Sequence, residues 1–550
     1  MTQHWDSEHD LVVVGSGGAG FSAAMTAADE GLSAVIVEST DAWGGSTAMS
    51  GGGMWLPNNP LMARDGVGDS RELALRYMEA TIGEAGPATS RERKEAFVDS
   101  VADFVRLAER NGLELTRATD YPDYYPELPG GKIGRSLEVE PFDVKRLDGA
   151  WDTSRGRDGV IFPLKTDDVW LMTRAWSTPG GFVRGAEFVF RALGGVVRGK
   201  RLVGAGAALT AAFHEAVVQQ HRTPLWLSAP LTELVMGEGR VTGVVVEREG
   251  RPVRVHARRG VMLAAGGFEA NREWRQRYHG IPGYPSGNLG NLGRPIEIAQ
   301  AAGAAVDLMD DAWWGGSVPA PPDGGRPSFI VGERSMPYSI IVDAQGRRFA
   351  NESESYVDLG HHMLARAAEA GEEFWMVADV RHARRYLRSF LMDPRVNKRL
   401  SAAGYLYKAA TLADLASEIG VDAAIFRDQI QRFNGYARSG VDAEFGRGNS
   451  AYDRYYGDPL VRPNPNLGPI EKGPFTAVRI VPGDLGTKGG LVTDADARVL
   501  RADGSVIEGL YAAGNTSASV MGHTYPGPGS TIGPAVVFGL RAVRHAARKS

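Results

Sequence analysis

Gly15-Ser16-Gly17-Gly18-Ala19-Gly20 sets three glycines in the spacing G-x-G-x-x-G, and Glu38 follows eighteen residues after the last of them. Together they can bind a nucleotide. Gly15 permits a tight turn, Gly17 lets backbone approach a pyrophosphate, and Gly20 allows a helix to pack closely on a strand. An acid placed like Glu38 can accept hydrogen bonds from a ribose hydroxyl. The elements that must hold these residues are legible around them. Leu11-Val12-Val13-Val14 is a continuous apolar run, the mark of a strand buried on both faces. Phe21-Ser22-Ala23-Ala24-Met25 continues as a helix, whose free N–H groups and positive dipole end would face the phosphates. Ala34-Val35-Ile36-Val37 is a second strand that ends at Glu38. Gly204-Ala205-Gly206 repeats two of the three glycines but follows Arg198-Gly199-Lys200-Arg201, not a strand, and reads as helix. Without a second fingerprint, a separate NAD(P)H domain is disfavoured.

Composition narrows the class. A chain of 550 residues makes two to four structural units, and 43% hydrophobic residues supply their cores. Glycine accounts for 71 residues, nearly twice the usual share of about 7%. The glycines cluster in short knots, which points to close approach of backbone to a ligand. Sixty-one basic residues against 66 acidic ones give a net charge of −5, which argues against nucleic-acid binding. Cysteine is absent, so disulfides, thiolate nucleophiles and iron–sulfur ligation are excluded, and redox chemistry would need an organic cofactor. Residues 1–10 resemble neither a signal nor a transit peptide, and no run of 18 apolar residues occurs. The expected location is cytoplasmic.

Trp43-Gly44-Gly45-Ser46-Thr47-Ala48-Met49-Ser50-Gly51-Gly52-Gly53 is a knot of glycine and hydroxyl residues that could wrap a large planar cofactor. Val261-Met262-Leu263-Ala264-Ala265-Gly266-Gly267 reads as a buried strand ending in glycines, and Gly509-Leu510-Tyr511-Ala512-Ala513-Gly514-Asn515 as another. These blocks resemble the FAD-binding halves of the fumarate reductase and succinate dehydrogenase flavoprotein superfamily. More narrowly, the chain resembles the 3-ketosteroid Δ1-dehydrogenases, on Tyr121-Pro122-Asp123-Tyr124-Tyr125, Asn351-Glu352-Ser353 with Tyr356, Gly483-Asp484-Leu485-Gly486-Thr487-Lys488-Gly489-Gly490-Leu491, and the stretch from Gly514-Asn515 to Tyr525-Pro526-Gly527-Pro528-Gly529. The likeness spans nearly the whole chain; about 50 residues around 150–200 read as an insertion.

The resemblance implies an α/β fold: a discontinuous, Rossmann-like FAD-binding domain over 1–312 and 487–550, with an inserted α+β substrate-capping domain over 313–486. It implies that FAD is held by Gly15, Ser16, Gly17, Gly18, Ala19, Gly20, Glu38, Ser39, Gly44, Gly45, Ser46, Thr47, Ser50, Gly51, Gly52, Ala265, Gly266, Gly514, Asn515, Gly529, Thr531 and Ile532. Covalent-flavin members carry a histidine in the segment matched by Gly44 to Gly53; none stands here, so FAD is expected to be non-covalent. The implied reaction introduces a C1=C2 double bond into a 3-ketosteroid, with electrons passing on to an acceptor such as a quinone. Tyr525 and the Gly529 N–H carry over as donors to the C3 carbonyl, Tyr356 as the base at C2, and Tyr124 as its neighbour in proton relay. A tyrosine base is expected to need neighbouring donors or charge that lower its pKa from about 10. Related readings are Δ4-(5α) dehydrogenation and a fumarate-reductase-like activity, although the arginines a dicarboxylate requires are not found beside His523.

Four stretches lie outside these motifs. His361-His362 has no third ligand at helical spacing, so it reads as an exposed helix start and no metal is expected. Residues 459–466 read as a proline-rich surface loop, and 541–550 as a basic, solvated helix face. Residues 182–201 mix aromatic and aliphatic side chains with five bases and one acid. That composition suits either a solvated surface helix packing on the FAD-binding domain or a segment in peripheral contact with an anionic membrane.

Overall fold

The computed structural model describes residues 4–159, 161–387 and 393–548, with the side chain of Trp170 excepted. The chain folds as a mixed α/β protein around two sheets. The first has eight strands. Its parallel centre runs from Val506–Ala512 through Arg251–Leu263, Ser7–Val14 and Ala34–Val37 to Leu225–Trp226. Arg498–Leu500 adds an antiparallel edge, and Leu231–Gly237 with Arg240–Arg248 forms an antiparallel meander on Arg251–Leu263.

The apolar runs of the sequence are these central strands. Alternate side chains leave a strand on opposite faces, so Val12, Val14, Val35 and Val37 enter one core while Leu11, Val13 and Ile36 enter another. Helix Gly18–Asp29 and the C-terminal helix Ile532–Arg548 pack together on the second face, where Ser22 Oγ donates to the Val536 carbonyl at 2.6 Å. That places the helix read from Phe21–Met25 and the end of the chain beside the first turn.

The second sheet is antiparallel and has six strands: Ser328–Phe329, Ala312–Val318, Phe475–Thr487, Phe374–Ala378 and Ser339–Val342 in order, with Leu406–Ala409 also paired to Phe475–Thr487. Helix Tyr356–Ala370 lies against Ala312–Val318. A small sheet of Met54–Trp55, Ser136–Val139 and Leu115–Arg117 buttresses the C-terminal glycine loop from the other side.

Two expectations are corrected here, and a third stretch is located. Residues 541–548 are no solvated face: Ala542, Val543 and Ala546 are buried, and Arg541 pairs with Asp496 at 2.7 Å while donating to Ser100 Oγ. The proline-rich loop at 459–466 is only partly surface, since Asn464 and Asn466 are buried and Asn466 Nδ2 donates to the Asp453 and Ser335 carbonyls. Helix Pro179–Val197 is a surface helix: Phe188 is half-buried, Phe182 and Phe190 are 65% and 74% exposed, and Val183, Leu193, Val196 and Val197 are also exposed. Its bases Arg184 and Arg191 turn inward to the buried Asp168.

Candidate active site

A cavity of about 800 Å³ runs between the two sheets. At its first-strand end, Gly15 turns the chain with φ +105°, its N–H donating to the Val37 carbonyl at 2.8 Å. A Cβ there would sit 2.4 Å from the Ala264 oxygen, so the position accepts glycine alone. Helix Gly18–Asp29 has no side-chain cap from Gly17; Thr47 Oγ1 accepts the Gly18 N–H at 3.1 Å, and Gly17, Gly18 and Ala19 turn the helix start toward the cavity. Glu38 Oε2 accepts from Ser16 Oγ at 2.7 Å, and Oε1 from the Thr40 N–H at 3.1 Å, so the carboxylate is oriented at the cavity wall.

Of the residues assigned to the cofactor from sequence, all line this cavity except two. Gly20 lies behind the wall, where a Cβ would meet the Gly15 carbonyl oxygen at 2.0 Å; it brings helix and strand together without reaching the ligand space. Gly44 is likewise a turn, the φ +105° residue before helix Gly45–Met49, and its N–H donates to Ser16 Oγ.

The opposite end is apolar and phenolic, lined by Tyr121, Tyr124, Phe329, Val331, Tyr356, Leu485 and Tyr525. Three segments far apart in sequence deliver the three assigned tyrosines. Tyr356 opens helix Tyr356–Ala370, Tyr124 lies in the loop before Ser136–Val139, and Tyr525 precedes the C-terminal helix. Their rings converge, Tyr356 to Tyr525 at 4.8 Å, Tyr124 to Tyr525 at 5.1 Å and Tyr124 to Tyr356 at 5.4 Å between centroids. Gly529, at φ +93°, closes the same end; a Cβ would lie 2.2 Å from the Gly53 oxygen.

The loop bearing Tyr525 and Gly529 is pinned by its carbonyls. The Tyr124 N–H and Tyr77 Oη both donate to Pro526 O, at 2.9 and 2.6 Å, Ser136 Oγ donates to Pro528 O, and the Trp55 N–H donates to Gly529 O. Beneath it, buried Asp123 accepts from Trp55 Nε1 and pairs with Arg135, which also binds Asp69.

Burial pushes the phenols of Tyr356 and Tyr124 well above their ordinary range, and the groups acting on Tyr356 are mainly other phenols. Burial also raises Tyr525, but hydrogen bonds from Thr531, Tyr356 and the Gly529 N–H draw it back. Tyr121 and Tyr125 differ in their bonding: Tyr121 Oη meets Tyr124 Oη at 3.2 Å and bonds Tyr456 Oη, whereas Tyr125 Oη donates to Asp358.

His361 and His362 lie in the second turn of helix Tyr356–Ala370, not at its start; His362 is exposed and bonds Glu354, and His361 is half-buried against Asp311, each at 2.8 Å. Among the described residues no group of three potential ligands could hold a metal ion.

Sequence reasoning missed two contributors. Trp313, buried, donates from Nε1 to Asn515 Oδ1 at 3.2 Å and meets the Tyr525 ring edge-on at 5.3 Å. The dismissed Gly204-Ala205-Gly206 is indeed a helix start, over Ala205–His214, but it follows a short strand, Leu202–Val203, and Ala205 lines the cavity. Its signal was Gly206, where a Cβ would strike the Thr47 oxygen.

Residues 10–532 match the FAD binding domain family, so the fold and cavity define a flavoprotein of that class. The chain is 44% identical to the 3-oxosteroid 1-dehydrogenase of Mycolicibacterium smegmatis over 97% of its own length and 96% of that protein. It superposes with TM-score 0.91 and 36% identity on the crystal structure of 3-ketosteroid Δ1-dehydrogenase from Sterolibacterium denitrificans in complex with 1,4-androstadiene-3,17-dione, covering 99% of this chain and 100% of that one. The 3-ketosteroid Δ4-(5α)-dehydrogenase of Rhodococcus jostii RHA1, at TM-score 0.65 and 21% identity over 100% and 99% of the two chains, shares the fold alone. The chain thus belongs to the 3-oxosteroid 1-dehydrogenase family, within the fumarate reductase and succinate dehydrogenase flavoprotein superfamily.

Proposed function

We propose that this protein is an FAD-dependent 3-ketosteroid dehydrogenase that introduces the C1=C2 double bond, and that Tyr525, Gly529, Tyr356 and Tyr124 carry the reaction. The observation behind this reading is the meeting of Tyr356 and Tyr525 at 4.8 Å, beside Gly529, at the apolar end of a cavity whose other end is a glycine cradle. The residues present fit the cofactor: the Gly15 turn and the helix start suit a pyrophosphate, and Glu38 suits a ribose. With no histidine between Gly44 and Gly53, attachment is non-covalent. When bound, FAD would supply the two-electron oxidant that accepts the hydride lost from C1.

The protein supplies the rest. Tyr525 Oη and the Gly529 N–H donate to the C3 carbonyl oxygen, which makes the C2 proton acidic without placing a full charge in an apolar pocket. Tyr356, as phenolate, takes that proton, and the C2 electron pair becomes the new double bond as hydride leaves C1. Tyr124 passes the proton on, and Tyr121 with Tyr456 extends the hydroxyl chain. The domain division follows the sheets: 313–486 supplies nearly all of the antiparallel sheet and caps the cavity, while 1–312 and 487–550 form a discontinuous Rossmann-like unit.

We also assign the outer face of helix Pro179–Val197 to peripheral contact with an anionic membrane. No helix among the described residues is long and apolar enough to cross one. The exposed Phe182, Phe190 and Leu193, with exposed Arg198, Lys200 and Arg201 after them, favour the interface. Leu164 and Val169, in and before the adjoining helix Thr166–Met172, line the cavity, so a lipid-borne steroid would enter close to the bilayer.

The deciding experiment is anaerobic bleaching of bound flavin. Androst-4-ene-3,17-dione should bleach it and succinate should not. Bleaching by 5α-androstane-3,17-dione alone, or by succinate, would replace this assignment.

A further inference from the structure

The carboxylate of Asp311, 4% exposed, gathers three side chains from three segments. His361 Nε2 donates to Oδ1 at 2.8 Å, His523 Nδ1 donates to Oδ2 at 2.8 Å, and the wholly buried Lys488 Nζ lies 3.2 Å from Oδ2. The lysine holds Asp311 ionised, with its pKa far below the carboxylate range, so neutral imidazoles suffice as donors.

Both histidines have an address relative to the reacting phenols. His361 follows Tyr356 by five residues on helix Tyr356–Ala370, and His523 precedes Tyr525 by two. One carboxylate therefore ties the segment bearing Tyr356 to the segment bearing Tyr525. Lys488 continues the connection inward, lying 5.0 Å over the Trp313 ring, whose edge meets Tyr525. His361 and His523 are 34% and 51% exposed, so their hydrogen bonds add little to global stability. What they can set is a spacing, and a displacement of about 1 Å at a reacting group can cost about 100-fold in rate.

We propose that Asp311 is a positioning residue that fixes the separation of Tyr356 and Tyr525 through His361 and His523. This rests on the assignment of those phenols as base and carbonyl donor. The histidines are the place to test it, because replacing Asp311 itself would leave Lys488 buried and unpaired.

His361→Ala and His523→Ala should each slow flavin reduction by about 10-fold or more, with FAD retained and Tm little changed. Because either change opens the same bridge, the double variant should be no slower than the worse single. His361→Gln and His523→Asn, which return an amide N–H near the lost ring nitrogen, should recover at least about half of the wild-type rate. Wild-type rates in the alanine variants, losses that multiply in the double variant, or no recovery in the amide variants would each overturn the proposal. Tyr356→Phe and Tyr525→Phe run alongside separate the two levels: if they keep the rate, the assignment of the phenols itself is wrong.

Discussion

Tyr77 Oη donates to the carbonyl of Pro526 at 2.6 Å and accepts the N–H of Tyr125 at 3.1 Å, so one buried hydroxyl joins the loop of Tyr124 to the loop of Tyr525. The two residues it joins are remote in sequence and neither is the reactive phenol. Tyr77→Phe should strand the Tyr125 N–H and cost about 1–3 kcal/mol of stability. The rate should fall too, while FAD content holds. Denaturant unfolding with single-turnover reduction measures both; an unchanged midpoint would mean that the loops are held elsewhere.

Tyr525→Phe and Tyr356→Phe are each expected to lower the rate by about 100-fold or more, the usual loss for a missing oxyanion donor or positioned base. Tyr124→Phe should be milder, because Tyr124 acts through its neighbour. Either of the first two retaining more than about half of wild-type activity at full flavin occupancy would remove it from the mechanism.

The pH profile should follow the buried base. Tyr356 accepts a proton only as phenolate, and burial raises its pKa, so at neutral pH the phenolate is a minor fraction. That fraction grows tenfold per pH unit below the pKa, so kcat/KM should climb from about pH 7 to about pH 9 or beyond. A profile already flat at neutral pH would show that another group takes the proton.

Purified protein should be yellow and should release intact FAD when denatured, since the segment from Gly44 to Gly53 has no histidine to bond it. Flavin absorbance remaining with precipitated polypeptide would contradict this.

Wild-type protein should pellet with anionic liposomes at low salt through helix Pro179–Val197. Phe182→Ser with Phe190→Ser should release it, as both rings are exposed and their loss leaves no cavity. Equal pelleting of the variant, or none by wild type, would return this face to ordinary surface.

The cofactor end of the molecule was largely settled by sequence, and for a local reason. A turn of strand into helix compresses Val14, Gly15, Gly17 and Gly20 into a few residues, and the constraints on each act over that same short span. Buried parallel strands likewise announce themselves as unbroken apolar runs. The roles proposed for Tyr356, Tyr124 and Tyr525 rest on family likeness, because nothing local distinguishes them among 17 tyrosines. Only the tertiary structure brings the three rings together, adds Trp313 and Tyr77 behind them, and gathers His361 and His523 onto Asp311. It also decided matters where one-dimensional pattern is ambiguous. A basic, apolar helix such as Pro179–Val197 has the same composition whether its rings pack inward or face out, and the C-terminal bases look solvated until Asp496 and Asp103 are seen beside them. Burial, and with it the direction in which the phenol pKa values move, depends on what the rest of the chain places around a residue, and so no local pattern encodes it.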